Sequence, residues 1–206
     1  YSGDGNNASS ISAALSQVVN KASTTTALVS NLNPSTFGQS VTFTATVTGG
    51  PLTGTVTFMD GTTALCTTVS LSGTSATCIL NNLSIATHAV TATYNGDGNN
   101  AASTSPVVNQ VVNYVATTTS LSSNVNPSAF GQNVTFSAVV TGHSPTGTVT
   151  FEDGGSNVLC NAVSLSGTNA TCIFSAIAVG TTTIIATYNG DGNNSASESP
   201  TVNQVV

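Results

Sequence analysis

Apolar and polar residues alternate along much of this chain with a period of two. Val41, Phe43, Ala45 and Val47 are interleaved with Thr42, Thr44, Thr46 and Thr48, which puts the apolar set on one face of a strand and threonine on the other. Val56 and Phe58 sit between Thr55 and Thr57 in the same way, and Val90, Ala92 and Tyr94 alternate with Thr91 and Thr93. These half-buried strands are separated by Thr48-Gly49-Gly50-Pro51, Asp60-Gly61, Ser72-Gly73 and Asn95-Gly96, sequences that favour turns. No run carries apolar residues at helical spacing, and Thr and Val stand where a helix would favour Ala, Glu and Lys. The pattern predicts an all-β fold.

The pattern also repeats. Tyr1-Ser2-Gly3-Asp4-Gly5-Asn6-Asn7 returns as Tyr94-Asn95-Gly96-Asp97-Gly98-Asn99-Asn100 and as Tyr188-Asn189-Gly190-Asp191-Gly192-Asn193-Asn194, at intervals of 93 and then 94 residues. Asn33-Pro34-Ser35-Thr36-Phe37-Gly38-Gln39 is answered in the same phase by Asn126-Pro127-Ser128-Ala129-Phe130-Gly131-Gln132. The extra residue of the second copy lies near Gly154 to Asn157, where Asp60-Gly61-Thr62 becomes Asp153-Gly154-Gly155-Ser156. Insertions are tolerated in turns, so this one marks a hairpin tip. About seven short strands per copy follow, the count of a two-sheet sandwich.

Composition narrows the function classes. Charged residues make up 4% of the chain, against about 25% in an ordinary soluble domain. Lys21 is the single basic residue, and the net charge of -6 reflects missing cations more than an acidic tract. Displacing the counterions of a nucleic acid takes several Lys or Arg, so nucleic acid is an unsuitable partner, as is an anionic membrane surface. No run approaches the roughly 18 apolar residues of a membrane helix, so no membrane insertion is expected. Tyr1-Ser2-Gly3-Asp4-Gly5 carries no leader-like pattern, and any export signal is expected upstream or already removed.

The order Thr24-Thr25-Thr26, Asn33-Pro34, Phe37-Gly38-Gln39, Thr53-Gly54-Thr55-Val56-Thr57-Phe58, Asp60-Gly61 and Tyr94-Asn95-Gly96-Asp97 resembles the bacterial Ig-like repeat domains of large surface proteins, and the second copy carries the same elements. The resemblance implies tandem immunoglobulin-like β-sandwiches over residues 22–113 and 114–206. It implies that residues 1–21 are the last hairpin and strand of a preceding module, the alternative being a free assembly strand. Members of the family look like stalks, adhesin segments, filament components and spacers, so location and architecture are implied more than activity.

Cys66 and Cys78, and Cys160 and Cys172, share a spacing of twelve. Even, repeated spacing points to disulfides Cys66–Cys78 and Cys160–Cys172, with buried free thiols as the alternative and zinc disfavoured for want of a repeated His. Each pair brackets a hairpin with its tip at Ser72-Gly73 or its counterpart. If Val69 and Ala76 both face inward, the cysteines are one residue out of register, so a bridge requires a bulge or a longer loop in that hairpin. Disulfides persist in oxidising compartments, which places the chain outside the cell or on its surface.

Gly96-Asp97-Gly98-Asn99-Asn100 invites a calcium reading. Calcium takes six to eight oxygens, and each copy supplies one Asp. A turn with Gly and Asn at positive φ accounts for the same residues, so no metal or cofactor is expected. Catalytic candidates are sparse. His88 and His143 fall where the other copy has Thr182 and Gly50, and Glu152 and Asp153, as strand neighbours, point to opposite faces. A Lys-to-Asn cross-link would need a lysine in each module, and Tyr114 stands in place of Lys21; Lys21 reads as a solvated spacer. Sequons at Asn7, Asn82, Asn133, Asn169 and Asn193 are candidate glycosylation sites in a chain so rich in Asn, Ser and Thr that chance supplies several. The threonine faces could equally carry O-linked sugar.

The chain therefore reads as a non-enzymatic structural tandem repeat of an extracellular filament or cell-surface stalk. Self-association, head-to-tail or lateral, or neighbouring modules of the same chain would be its partners. The rival is an adhesin that grips glycan or protein, or a spacer within a larger secreted protein. Binding sites usually show exposed aromatics, whereas there is no Trp here and the Phe positions alternate as core would.

Overall fold

The computed structural model describes residues 1–155 and 157–206. The first sandwich is built from β1 (Thr25–Ser30), β2 (Ser35–Thr36), β3 (Val41–Thr48), β4 (Thr55–Asp60), β5 (Thr63–Ser70), β6 (Ser75–Leu80), β7 (Thr87–Tyr94), β8 (Ser103–Thr104) and β9 (Val108–Asn113). The second is built from β10 (Thr118–Ser123), β11 (Val134–Thr141), β12 (Thr148–Asp153), β13 (Val158–Ser164), β14 (Asn169–Phe174), β15 (Thr181–Tyr188), β16 (Ser197–Glu198) and β17 (Val202–Val205). The described residues contain no helix.

In the first sandwich a sheet ordered β1-β3-β6 faces one ordered β2-β9-β7-β4-β5, with β8 on β7; in the second, β10-β11-β14 faces β13-β12-β15-β16, with β17 on β15. The alternating strands behave as their pattern predicts. Val41, Phe43, Ala45 and Val47 are buried along β3, Val56 and Phe58 along β4, and Val90, Ala92 and Tyr94 along β7. Each apolar set removes its side chains from water, at about 25 cal/mol per Å², while the intervening threonines stay on the outer face. Val134, Phe136, Val140, Val149, Phe151, Ile184 and Tyr188 form the corresponding core of the second sandwich.

Proline interrupts the last strand of each sandwich between β8 and β9 and between β16 and β17, because it has no N–H for the ladder. The preceding serine gives the facing strand an acceptor at this break. Ser105 Oγ accepts the amide of Ala92 at 3.0 Å, and Ser199 Oγ that of Ala186 at 3.0 Å.

The cysteine segments differ from the expected hairpin. β5 and β6 belong to opposite sheets, so Ser72-Gly73 turns the chain from one sheet to the other, with Ser72 and Ser75 bridged. The required bulge is present, but in the ladder between β4 and β5. Val56 pairs with Val69 and Phe58 with Cys66, so two residues on β4 span three on β5. The extra residue brings Val69 and Cys66 to one face. Thr68 takes a φ of 50° there, and Ala162 one of 48° at the same place in the second copy. Gly154, Gly155 and Asn157 do lie at a hairpin tip, between β12 and β13; Ser156 lies outside the described residues.

Candidate functional site: an aspartate latch and a glutamine socket

The thrice-repeated phrase folds around its aspartate. At Asp97, Oδ1 accepts the amides of Asn99 (2.8 Å) and Asn100 (2.7 Å), the pattern of an Asx turn. Oδ2 accepts the Thr53 amide at 3.0 Å and the Thr53 hydroxyl at 2.9 Å. The Tyr94 hydroxyl hydrogen is shared between Thr53 O (2.7 Å) and Asp97 Oδ2 (3.0 Å), and the buried Asn100 amide donates to Asp97 and to Pro51 O. Asp191 repeats this with Asn193, Asn194, Thr146 and Tyr188. The aspartate thus ties the end of β7 or β15 to the loop before β4 or β12. Gly54 is needed at the close approach. Its φ is 93°, and a Cβ there would lie 2.7 Å from Gly96 O, with Gly147 and Gly190 O matching at 2.6 Å.

The same turn holds the first residues of its module. Ala22 N donates to Asn99 O and Ala101 N to Ala22 O, both at 2.8 Å; Val115, Asn193 and Ser195 repeat the pair at 2.9 Å. Lys21 is exposed, yet its ammonium donates to the Asp97 carbonyl, so it is anchored and not a freely solvated spacer.

The electrostatics follow from the donors. The Asn100 side chain, with the Thr53 and Asn99 amides, holds the Asp97 carboxyl far below the ordinary carboxylate range. At Asp191 partial burial pushes the other way and is outweighed by hydrogen bonds from Thr146, Asn193, Asn194 and Tyr188, so that carboxyl too lies far below the range. Burial first, then Asp191, pushes Tyr188 up to about 12, and Tyr94 is raised for the same reasons. Carboxylate oxygens aimed at N–H and O–H hydrogens present no free face to a cation. Among the described residues no cluster of three or more His, Cys, Asp or Glu has metal-binding geometry.

A second repeated feature lies at the other end of the last strand. Gln110 and Gln204 are wholly buried. Gln110 Nε2 donates to Leu32 O (2.9 Å) and Ser35 Oγ (3.2 Å), and its Oε1 accepts from Ser30 Oγ at 2.6 Å. Gln204 does the same with Val125 O, Ser128 Oγ and Ser123 Oγ. Beside it Asn33 and Asn126 pair their amides with strand backbone, Asn33 Nδ2 to Asn109 O (2.8 Å) and Val111 N to Asn33 Oδ1 (3.0 Å). These sockets are not among the sequence candidates. The available signal is the recurrence of one Gln at 17, 110 and 204, each directly before Val-Val.

The remaining candidates disperse. Cys66–Cys78 and Cys160–Cys172 are bridged, with Cα separations of 6.0 and 5.9 Å, and each bridge joins the two sheets of its sandwich. His88 is buried, with its Nε2–H donating to Ser84 O at 2.9 Å; His143 exchanges hydrogen bonds with Asn194. Asp153 closes its own turn by accepting from the Asn157 side chain and amide and then from the Gly155 amide, which lowers its pKa, while Glu152 lies on β12. Of the sequon residues, Asn82, Asn133 and Asn169 are exposed and Asn193 is half-buried. Asn7 is exposed, but its Nδ2 donates to both Asp4 oxygens at 3.1 Å, so a glycan there competes with the turn. Nor do all the phenylalanines face inward. Phe43, Phe58, Phe136 and Phe151 are core, whereas Phe130 is 73% exposed.

The profile of the bacterial Ig-like domain (group 3) matches residues 28–113 and again 121–206. The chain belongs to that family. Its two modules are tandem Ig-like sandwiches. No curated protein matches the chain. Among solved structures, an amphioxus IgVJ-C2 molecule is similar at 14% identity over 83% of this chain and 98% of its own, with a TM-score of 0.42. The fibronectin(III)-like modules of Clostridium thermocellum CbhA are similar at 15% identity over 87% and 93%, with a TM-score of 0.38.

Proposed function

We propose that this bacterial Ig-like chain is a structural segment of an extracellular filament or cell-surface stalk, without catalytic activity. The observation that carries the reading is where the repeated polar groups point. Asp97, Asp191, Gln110 and Gln204 are saturated by donors and acceptors of their own module, and a satisfied polar group offers a ligand little. Disulfides in both modules suit an oxidising compartment, and among the described residues no helix is long and apolar enough to cross a membrane. Strands β1, β3, β6, β10, β11 and β14 carry no charged residue, so their threonine- and serine-rich outer faces meet no charge repulsion in lateral self-association. Antibody against this chain, applied to intact cells and viewed by electron microscopy, should decorate surface filaments or stalks. Labelling that needs permeabilised cells would contradict the proposal.

The binding-module reading is supported by Phe130, an exposed aromatic on the loop before β11. Under it, a glycan or protein array should retain the chain and release its Phe130→Ser variant. Retention of both variants alike removes that reading.

A further inference from the structure

Residues 1–20 carry no strand and no core, yet they hold the conformation of a module's last corner. Tyr1 N donates to Ser10 O at 2.9 Å and Ser10 N to Tyr1 O at 3.1 Å, the pairing made by Tyr94 with Ser103 and by Tyr188 with Ser197. Gly3 has a φ of 81°, where Gly96 has 78° and Gly190 80°. Asp4 accepts the Asn6 and Asn7 amides at 2.8 and 2.9 Å and the Tyr1 hydroxyl. Gln17 Nε2 donates to Val18 O at 3.0 Å, as Gln110 does to Val111 and Gln204 to Val205. What differs is the surroundings. Gln110 and Gln204 are 0% exposed and Val112 3%, whereas Gln17 is exposed and its neighbour Val19, the counterpart of Val112, is 88% exposed.

From this we infer that residues 1–20 are a preshaped corner and last strand that dock into an Ig-like sandwich of this same repeat whose last-strand slot is empty, with Gln17 entering a buried polar socket. The socket chemistry is given by the occupied ones: a carbonyl and a serine hydroxyl to accept from Nε2, a second serine hydroxyl to donate to Oε1, and a sheet edge equivalent to Thr87–Val90. A second copy of this chain does not fit, because β9 and β17 already fill its slots. Tyr1 occupies the place of the last residue of β7, so the partner supplies the equivalents of β1 to β7. The inference rests on the sandwich fold alone and is independent of the proposed structural role.

The test extends the full chain with a second copy of residues 22–93 fused directly before Tyr1, in the phase of the repeat, and follows amide hydrogen exchange. Residues 11–19 should slow at least 100-fold relative to the 206-residue chain. Gln17→Ala should lower the melting temperature of the extended chain and leave that of the 206-residue chain unchanged. An extension carrying residues 22–113, whose slot its own last strand fills, should leave residues 11–19 exchanging freely. The inference is overturned if residues 11–19 stay unprotected behind 22–93, if that extension does not fold while 22–113 does, if Gln17→Ala is silent in both chains, or if the segment is already protected in the 206-residue chain by self-association.

Discussion

At the scale of single residues, the repeated aspartate acts through hydrogen bonds and not through charge pairing, since its partners are amides and hydroxyls. Tyr94 and Tyr188 bury a ring and still find acceptors for the hydroxyl. Phe at either position keeps the ring and loses the hydrogen bond, which should cost about 1 kcal/mol, a melting decrease of about 4–8 °C for a domain of this size. The carboxyls set the acid limb. Because the folded Asp97 and Asp191 pKa values lie below the ordinary 3.8, their contribution is complete above that value and declines as pH falls through the folded values. Stability should hold from neutral pH to about pH 5 and fall in stronger acid, and the Asp97→Asn and Asp191→Asn pair should be less stable at pH 7 with a flatter acid limb in denaturant titrations. Tyr188 works in the opposite sense. Its raised pKa, about 12 against 10.0, means that its contribution is complete below pH 10 and is lost as pH rises through 12.

At the scale of elements, what the sequence makes legible is the set of faces, and what it hides is the set of partners. Alternation in β3, β4 and β7 identifies the inward residues because each strand has one wet face. The same alternation is silent on which sheet a strand joins, so β5 and β6 read as one hairpin and prove to lie in opposite sheets. Parity at Val69 and Cys66 does reveal that a residue is in excess, but only the backbone places it opposite β4. Likewise a Gln within Val-Asn-Gln-Val-Val resembles a surface residue until the acceptors from the Leu32 and Ser35 loop are seen around it. Two changes probe these elements. The left-handed backbone at Thr68 and Ala162 costs an L-residue about 1–2 kcal/mol, of which glycine's extra chain entropy returns about 0.5–1. Thr68→Gly and Ala162→Gly should therefore raise stability modestly in urea unfolding, and a loss would show that the bulge depends on those side chains. Gln110→Ala removes the short partners of Leu32 O, Ser35 Oγ and Ser30 Oγ, leaving only the longer contacts of Ser30 Oγ to Leu32 O (3.3 Å) and Ser35 Oγ to Val111 O (3.5 Å), and should cost about 1–3 kcal/mol.

At the scale of the whole molecule, the scarcity of charge is the property that distinguishes this chain. Of its seven acidic residues, Asp4, Asp97, Asp153 and Asp191 accept hydrogen bonds within their own turns, and the single lysine is anchored to a carbonyl. With so few charges left to screen, the melting temperature should move by no more than about 2 °C between 50 mM and 1 M NaCl; a larger shift would reveal a charge network absent from the hydrogen bonds described above. The central claim is that the repeated aspartate of each module, Asp97 and Asp191, is saturated by the protein's own donors and holds its module together without serving a ligand. Carboxyl-carbon NMR titration of Asp97 and Asp191, run with and without millimolar calcium, tests it most directly. Both carboxyls should titrate far below the ordinary aspartate range and be indifferent to calcium, whereas a midpoint near 4, or one displaced by calcium, would contradict the account.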